Sequence, residues 1–222
     1  MIFLAVDSSG REGSLALARA EGSELQILEV VALDGGNFSA QLVPQMAALL
    51  TQHGFTQHDI DGFAIAVGPG SFTGLRVGLA AVKGLAEALK KPIAAVSRLE
   101  TVARASGEQG RVIAALDAGR CQAFVGEYAI SGESATCAKE NLLSWEELAV
   151  LAADRPVATP DRNVADVLRE SGVKVVEIQN PRADAIARIG GKKLAAGDVA
   201  DVVTLEANYI RRTDAEILVH GN

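Results

Sequence analysis

Residues 68–76, Gly68-Pro69-Gly70-Ser71-Phe72-Thr73-Gly74-Leu75-Arg76, set closely spaced glycines and hydroxyls between an apolar run and a helical pattern. Such a loop leaves backbone N–H groups unpaired at a helix start, where the helix dipole favours an anion. It is not a P-loop, because no Lys-Ser/Thr follows the last glycine. Nor is it a dinucleotide loop, because position 73 is Thr, or a nucleophile elbow, because Pro69 takes the first glycine's place. Two readings stay open, a phosphate cradle or a strand-to-helix turn that needs glycine for its dihedrals. Asp7-Ser8-Ser9 and Asp117-Ala118 each end an apolar run, and carboxylates and hydroxyls there would hold Mg2+ and phosphate oxygens. The plainer reading is an Asp that ties its own turn, and it is favoured for Asp117, since Ala118 brings no hydroxyl. The candidate phosphate set, of a vestigial kind, is therefore Asp7, Ser8, Ser9, Gly68, Gly70 and Ser71.

Other chemistry is sparse. His53 and His58 lie five apart, which does not place them on one helix face, and His220 is far along the chain. All three are expected in solvent. Cys121 and Cys137 make neither a disulfide framework nor a four-ligand zinc site, and Cys121 is expected as a small buried strand residue. No catalytic residue and no metal site are assigned. The segment Tyr209-Ile210-Arg211-Arg212-Thr213-Asp214-Ala215-Glu216 reads equally as a packed surface strand or as an arm that touches RNA.

Elements that would position these residues follow from periodicity. Apolar strands are expected at Ile2–Val6, Ser14–Ala20, Leu25–Leu33, Gly62–Val67 and Ile93–Val96, with a hairpin turn at Gly22-Ser23. Helices are expected over 39–52, whose first turns Pro44 should disturb, and over 73–90. The pattern then restarts. Val112-Ile113-Ala114-Ala115-Leu116-Asp117-Ala118-Gly119-Arg120 parallels Phe3-Leu4-Ala5-Val6-Asp7-Ser8-Ser9-Gly10-Arg11. Strands at Cys121–Ile130, Val157–Thr159 and Lys174–Ile178 alternate with helices at 144–153, 162–171 and 182–196. Strand-strand-strand-helix-strand-helix, stated twice, predicts an α/β protein of two pseudo-duplicated βββαβα lobes, divided as 1–97 and 98–222.

Composition bounds the function. The 222 residues are 49% hydrophobic and 22% charged, and 21 Lys and Arg against 28 Asp and Glu give a net charge of −7. An acidic chain is a poor autonomous nucleic-acid binder, because Lys and Arg supply most non-specific affinity for phosphate. No apolar run reaches ~18 residues, and Ile2–Val6 meets Asp7 too early for a signal peptide. The expectation is a cytoplasmic protein with no membrane contact.

On the helix expected at 73–90, Leu75, Leu79, Val82, Ala86 and Leu89 form a stripe suited to the lobe's own sheet. Arg76, Lys83, Glu87 and Lys90 form a wet stripe. Gly74, Gly78, Ala81, Leu85 and Ala88 form a third. Each mid-helix glycine costs ~1 kcal/mol relative to Ala, so two on one face call for a compensating close approach of another backbone. That backbone belongs either to the chain's own helix at 39–52 or to a second subunit.

Two lobes that each open with a strand–Asp–turn–strand hairpin resemble the actin and sugar-kinase superfamily, a ribonuclease H-like fold. Within it, Ala66-Val67-Gly68-Pro69-Gly70-Ser71-Phe72-Thr73-Gly74-Leu75-Arg76-Val77-Gly78 is similar to the hallmark of the bacterial TsaB (YeaZ) family. The resemblance extends from Met1 to the Tyr209-Ile210-Arg211 segment. It departs at Ala207, where the family usually has proline, and near Phe38-Ser39, where a histidine is usual. It implies a non-catalytic relative of TsaD, the subunit that transfers threonylcarbamoyl to the adenosine beside the tRNA anticodon. That relative carries an iron-binding His-x-x-x-His at the place where Arg98 and Val102 stand here. An Arg does not deprotonate to ligate a metal and Val has no donor. The resemblance further implies a TsaD-like partner, a TsaE-like ATPase, a homodimer when the chain is alone, and contact with tRNA only through the complex. It also implies a pairing face in which both helices meet counterparts across a four-helix contact, built from Leu42, Met46, Leu49, Leu50, Gly74, Gly78, Ala81 and Leu85. No cofactor is assigned, with weak ATP or ADP binding left open. The competing expectation is an autonomous ATPase or small-molecule kinase of the same superfamily.

Overall fold

The computed structural model describes residues 1–22 and 24–211. The chain divides into two compact units, Met1–Thr101 with Pro181–Ala207, and Val102–Asn180 with the segment that begins at Asn208.

In the first unit, β1 (Ile2–Asp7), β2 (Gly13–Glu21) and β3 (Glu24–Leu33) form an antiparallel meander, and β4 (Gly62–Gly68) and β5 (Ile93–Ser97) add in parallel. The sheet order is β3-β2-β1-β4-β5, with Val6 opposite Leu15 and Leu4 opposite Phe63. Because side chains alternate along a strand, this register sorts residues by size. One face carries Leu4, Val6, Leu15, Leu17, Phe63 and Ile65, and α1 (Phe38–Gln52) and α2 (Phe72–Leu89) pack on it. The other face carries Ala5, Ala16, Ala18, Ala64, Ala66 and Ala94, with Phe3 and Val96 among them.

Such a shallow, alanine-lined face admits a helix only at close range. That helix is α6 (Ala183–Ala196), which brings Gly190 and Gly191 onto it. A methyl on Gly190 would stand 2.3 Å from Cβ of Ala64. The expected division at 97/98 is therefore corrected. The chain crosses later, and residues 181–207 return to complete the first unit because its alanine face needs a cover.

The second unit repeats the plan. Strands β6 (Gly110–Gly119), β7 (Gln122–Ser131), β8 (Ser134–Ser144), β9 (Val157–Thr159) and β10 (Val175–Glu177) lie in the order β10-β9-β6-β7-β8. Helices α4 (Trp145–Leu151) and α5 (Arg162–Glu170) precede and follow β9. Helix α3 (Arg98–Ala105), absent from the periodicity reading, links the halves.

Three local expectations change. Helix α1 runs through Pro44, which sits on its exposed side. Cys121 is exposed in the β6–β7 turn rather than buried in a strand, with φ of 55° beside Arg120 at 57°. His53 is half-buried at the end of α1, its Nε2 2.8 Å from Glu29 Oε2, so it is not a solvated side chain. His220 lies outside the described residues.

Candidate functional site

The β1–β2 turn and the start of α2 are brought together as the sequence suggested, and they are locked to each other. Asp7, Ser8 and Ser9 are each buried. Asp7 Oδ1 accepts the N–H of Ser9 at 2.9 Å and also the Ser9 hydroxyl. Ser8 Oγ donates to the Gly74 carbonyl at 2.8 Å, and the Ser71 N–H donates to the Ser9 carbonyl at 2.7 Å. Gly70, Gly74 and Gly78 leave the room for this. A methyl on Gly70 would stand 2.3 Å from Ser9 O, and one on Gly74 would stand 2.0 Å from Ser8 O. Gly68 adopts φ of 109°, which L side chains rarely do. Ser71 caps α2 by accepting from the Gly74 N–H.

These bonds leave both serine hydroxyls committed within the fold. They build a strand-to-helix turn, and a cavity of about 390 Å³ lined by Gly10, Arg11, Ser71, Thr73 and Gly74 opens beside it.

The remaining oxygen of Asp7 faces a cation from the same chain. Arg98, the first residue of α3, places Nε 3.8 Å from Asp7 Oδ2, with both side chains about nine-tenths buried. Val102 is fully buried.

In the second unit Asp117 repeats the local role of Asp7. Its Oδ1 accepts the Gly119 N–H at 2.7 Å, and its own N–H donates to Asp161 Oδ2 at 2.7 Å. Both aspartates thus tie their own turns. Among the described residues there is no cluster of three or more His, Cys, Asp or Glu side chains suited to a metal ion.

Of the eight residues expected on a pairing face, six are buried within the first unit. Leu42, Met46, Leu49 and Leu50 are core residues of the first unit, 4% exposed or less. Gly74 and Gly78 are buried against Ser8, so the backbone they admit is the chain's own turn. Ala81 and Leu85 are half-buried. The large stripe of α1 was the natural choice for an interface, yet large apolar stripes are what a sheet needs.

What lies outside is different. The exposed side of α1 holds Ala40, Val43, Pro44, Ala47 and Ala48 together with the uncharged Ser39, Gln45, Thr51 and Gln52, and on α2 the small Thr73, Ala80, Gly84 and Ala88 are exposed beside Arg76 and Glu87. Helices α1 and α2 lie side by side on one sheet face, so these surfaces turn outward together. The 15 residues of α1 include no Asp, Glu, Lys or Arg. That absence of charge is legible in the sequence itself, and it marks the small-residue side of the helix rather than the large apolar stripe.

Of the basic-aromatic segment, Arg211 is engaged within its own unit. It donates to the Ala118 carbonyl at 2.8 Å and to Gln122 Oε1 at 2.7 Å, and lies over the Phe124 ring. Arg212 to Glu216 lie outside the described residues. In the first unit, Lys83 Nζ donates to the carbonyls of Val203 and Leu205. Asp201 Oδ1 accepts the N–H groups of Val203 and Thr204. The N–H groups of Thr204 and Val203 hold the Asp201 carboxyl below its ordinary pKa, helped by the Thr204 hydroxyl and Lys83.

Two five-stranded mixed sheets of identical order, built by two halves of one chain, define the actin-like, ribonuclease H-like class of α/β proteins. Comparison with known proteins narrows the class. The family model for TsaD, tRNA N6-adenosine threonylcarbamoyltransferase, matches residues 34–216. The tRNA threonylcarbamoyladenosine biosynthesis protein TsaB of Bacillus subtilis is 31% identical over 97% of this chain and 96% of its own length. TsaB of Escherichia coli is 29% identical over 79% of this chain and 81% of its own. The solved structure of YeaZ from Pseudomonas aeruginosa superposes with a TM-score of 0.77 at 28% identity, covering 94% of this chain and 99% of that one. The chain belongs to the TsaB (YeaZ) family.

Proposed function

We propose that the chain is a non-catalytic partner subunit in the formation of tRNA threonylcarbamoyladenosine. It presents the outer faces of α1 and α2 to a TsaD-type transferase, and a TsaE-type ATPase joins the pair. The observation that carries this reading is the outer face of α1. Exposed helix faces ordinarily carry charges, and this one has none: alanine, valine and proline alternate with uncharged Ser, Thr and Gln, beside the small Thr73, Ala80, Gly84 and Ala88 of α2. Small side chains let a partner helix approach closely, and a surface without charge loses little on desolvation. Without the transferase, two copies pair across the same face. The net charge of −7 fits a subunit that meets tRNA only through its complex, in the cytoplasm. Arg98 and Val102, standing where the resemblance places metal-ligating histidines, fit a subunit that leaves the transfer chemistry to its partner.

The test is sedimentation velocity and pull-down with a TsaD-type subunit, using Val43→Asp and Ala80→Arg, with circular dichroism to verify folding. Both variants are expected to stay folded and to lose the partner. Folded variants that pair as tightly as the parent would overturn the reading. So would steady ATP hydrolysis by the isolated chain that Asp7→Ala abolishes, which would favour the autonomous ATPase.

A further inference from the structure

We propose that Arg98 is a built-in counter-cation for Asp7, and that this buried pair is the positioning device that fixes the start of α2. Three observations converge on it. First, Asp7 is 5% exposed, and a buried carboxylate is costly unless a cation faces it. The cation that faces it is the Arg98 guanidinium, with Nε 3.8 Å from Oδ2. Second, Arg98 is the first residue of α3, where the helix dipole disfavours a positive charge. An arginine buried there breaks a local rule, and the carboxylate it faces is the compensation. Third, the turn that Asp7 organises is the surface on which α2 begins. Asp7 holds Ser9, the Ser9 carbonyl holds the Ser71 N–H, and Ser8 reaches the Gly74 carbonyl. Charge at Arg98 is thereby linked to the pose of α2 through two hydrogen-bonded steps.

The mixed face of this pair does not suit a metal. Asp7 Oδ1 already takes two donors from Ser9, and Oδ2 faces a permanent cation. A divalent ion would have to displace a guanidinium that does not deprotonate. In this chain the aspartate is taken up by an internal ion pair that serves docking. The partner-binding half of the inference rests on the reading of α2 as part of the docking surface.

The experiment combines amide hydrogen exchange at Ser71 and Gly74 with measured affinity for the TsaD-type subunit. Arg98→Ala is expected to expose both amides and to weaken pairing about tenfold, the size of a coupling of ~1.4 kcal/mol. Guanidinium at tens of millimolar, against a sodium control, is expected to restore both, and Arg98→Lys to restore them in part. If Arg98→Ala does not fold, Asp7→Asn, Arg98→Met and the double variant form a cycle. The double variant should then be less perturbed than the two singles combined, because neither charge is left buried alone. Unchanged exchange in Arg98→Ala, loss that guanidinium does not reverse, or additivity in the cycle would overturn the proposal. Should Val43→Asp and Ala80→Arg leave pairing intact, the docking reading fails, while the exchange measurement still judges the role of Arg98.

Discussion

A methyl group on Gly78 would stand 2.1 Å from Oγ of Ser8, the hydroxyl that donates to the Gly74 carbonyl. Serine and glycine are thus two halves of one contact, seventy residues apart, and the glycine is there for the serine. Gly84, two turns further along α2, faces open space.

These two glycines should therefore respond oppositely to alanine. Gly78→Ala is expected to destabilise by about 1–3 kcal/mol, as overpacking outweighs the gain in helix propensity. Gly84→Ala is expected to stabilise by about 0.5–1 kcal/mol. Urea unfolding of dilute protein measures both, and an equal response at the two sites would contradict the packing described.

Leu49 and Met46 were expected at a partner surface and lie in the core. Leu49→Ala and Met46→Ala should each cost about 2–5 kcal/mol of stability. Affinity for the partner, measured well below the melting temperature, should stay as in the parent. A specific loss of binding at full stability would return them to the interface.

Asp201 supplies a pH-dependent local test. Its carboxyl is held below its ordinary value by the N–H groups of Thr204 and Val203. A depressed folded pKa contributes stability that is present above the unfolded value and lost as pH falls through the folded one. Protection of the Val203 and Thr204 amides, measured relative to intrinsic exchange at each pH, should therefore hold at neutral pH and fall only under acid conditions. In Asp201→Asn the acid step should vanish. A step that persists in the variant would assign it to another group.

Arg211 anchors the last described residues to the second unit. Arg211→Ala should lower stability by about 1–3 kcal/mol, the range for hydrogen bonds from a charged donor, and raise proteolysis beyond Asn208. No change in either would mean that the contacts to Ala118 and Gln122 do not hold the segment.

Much of the architecture was legible because it rests on short, continuous apolar runs. Phe3 to Asp7 and Ile113 to Asp117 are apolar strands that end in an aspartate, and the repeat between them announced two related sheets. Strand β8 was harder to read. Ser134 to Ser144 is an exposed edge whose Lys139 and Glu140 mask any alternation. Helix α3 went unread because its eight residues are short for a periodicity argument. The return of α6 to the first sheet is a tertiary choice, made by matching alanine against glycine, and no local pattern encodes which sheet will receive a helix. At the candidate site, Gly74 and Gly78 signalled a close approach correctly, while the identity of the approaching group, Ser8, depended on a contact distant in sequence. The contact between Arg98 and Asp7 was likewise beyond local reach.

The placement of α6 has a consequence for how the protein is made. The five strands of the first sheet leave the ribosome by Ser97, but the helix that covers their alanine face begins only at Ala183. At about 5–20 residues per second, several seconds or more pass during which that face is bare. The leading half of a nascent chain is thus a sheet with one side unsealed, adhesive to chaperones and to its neighbours on the same message. Native closure of the first unit waits until residues 183–196 have been made, so premature termination near residue 180 leaves that sheet without its cover.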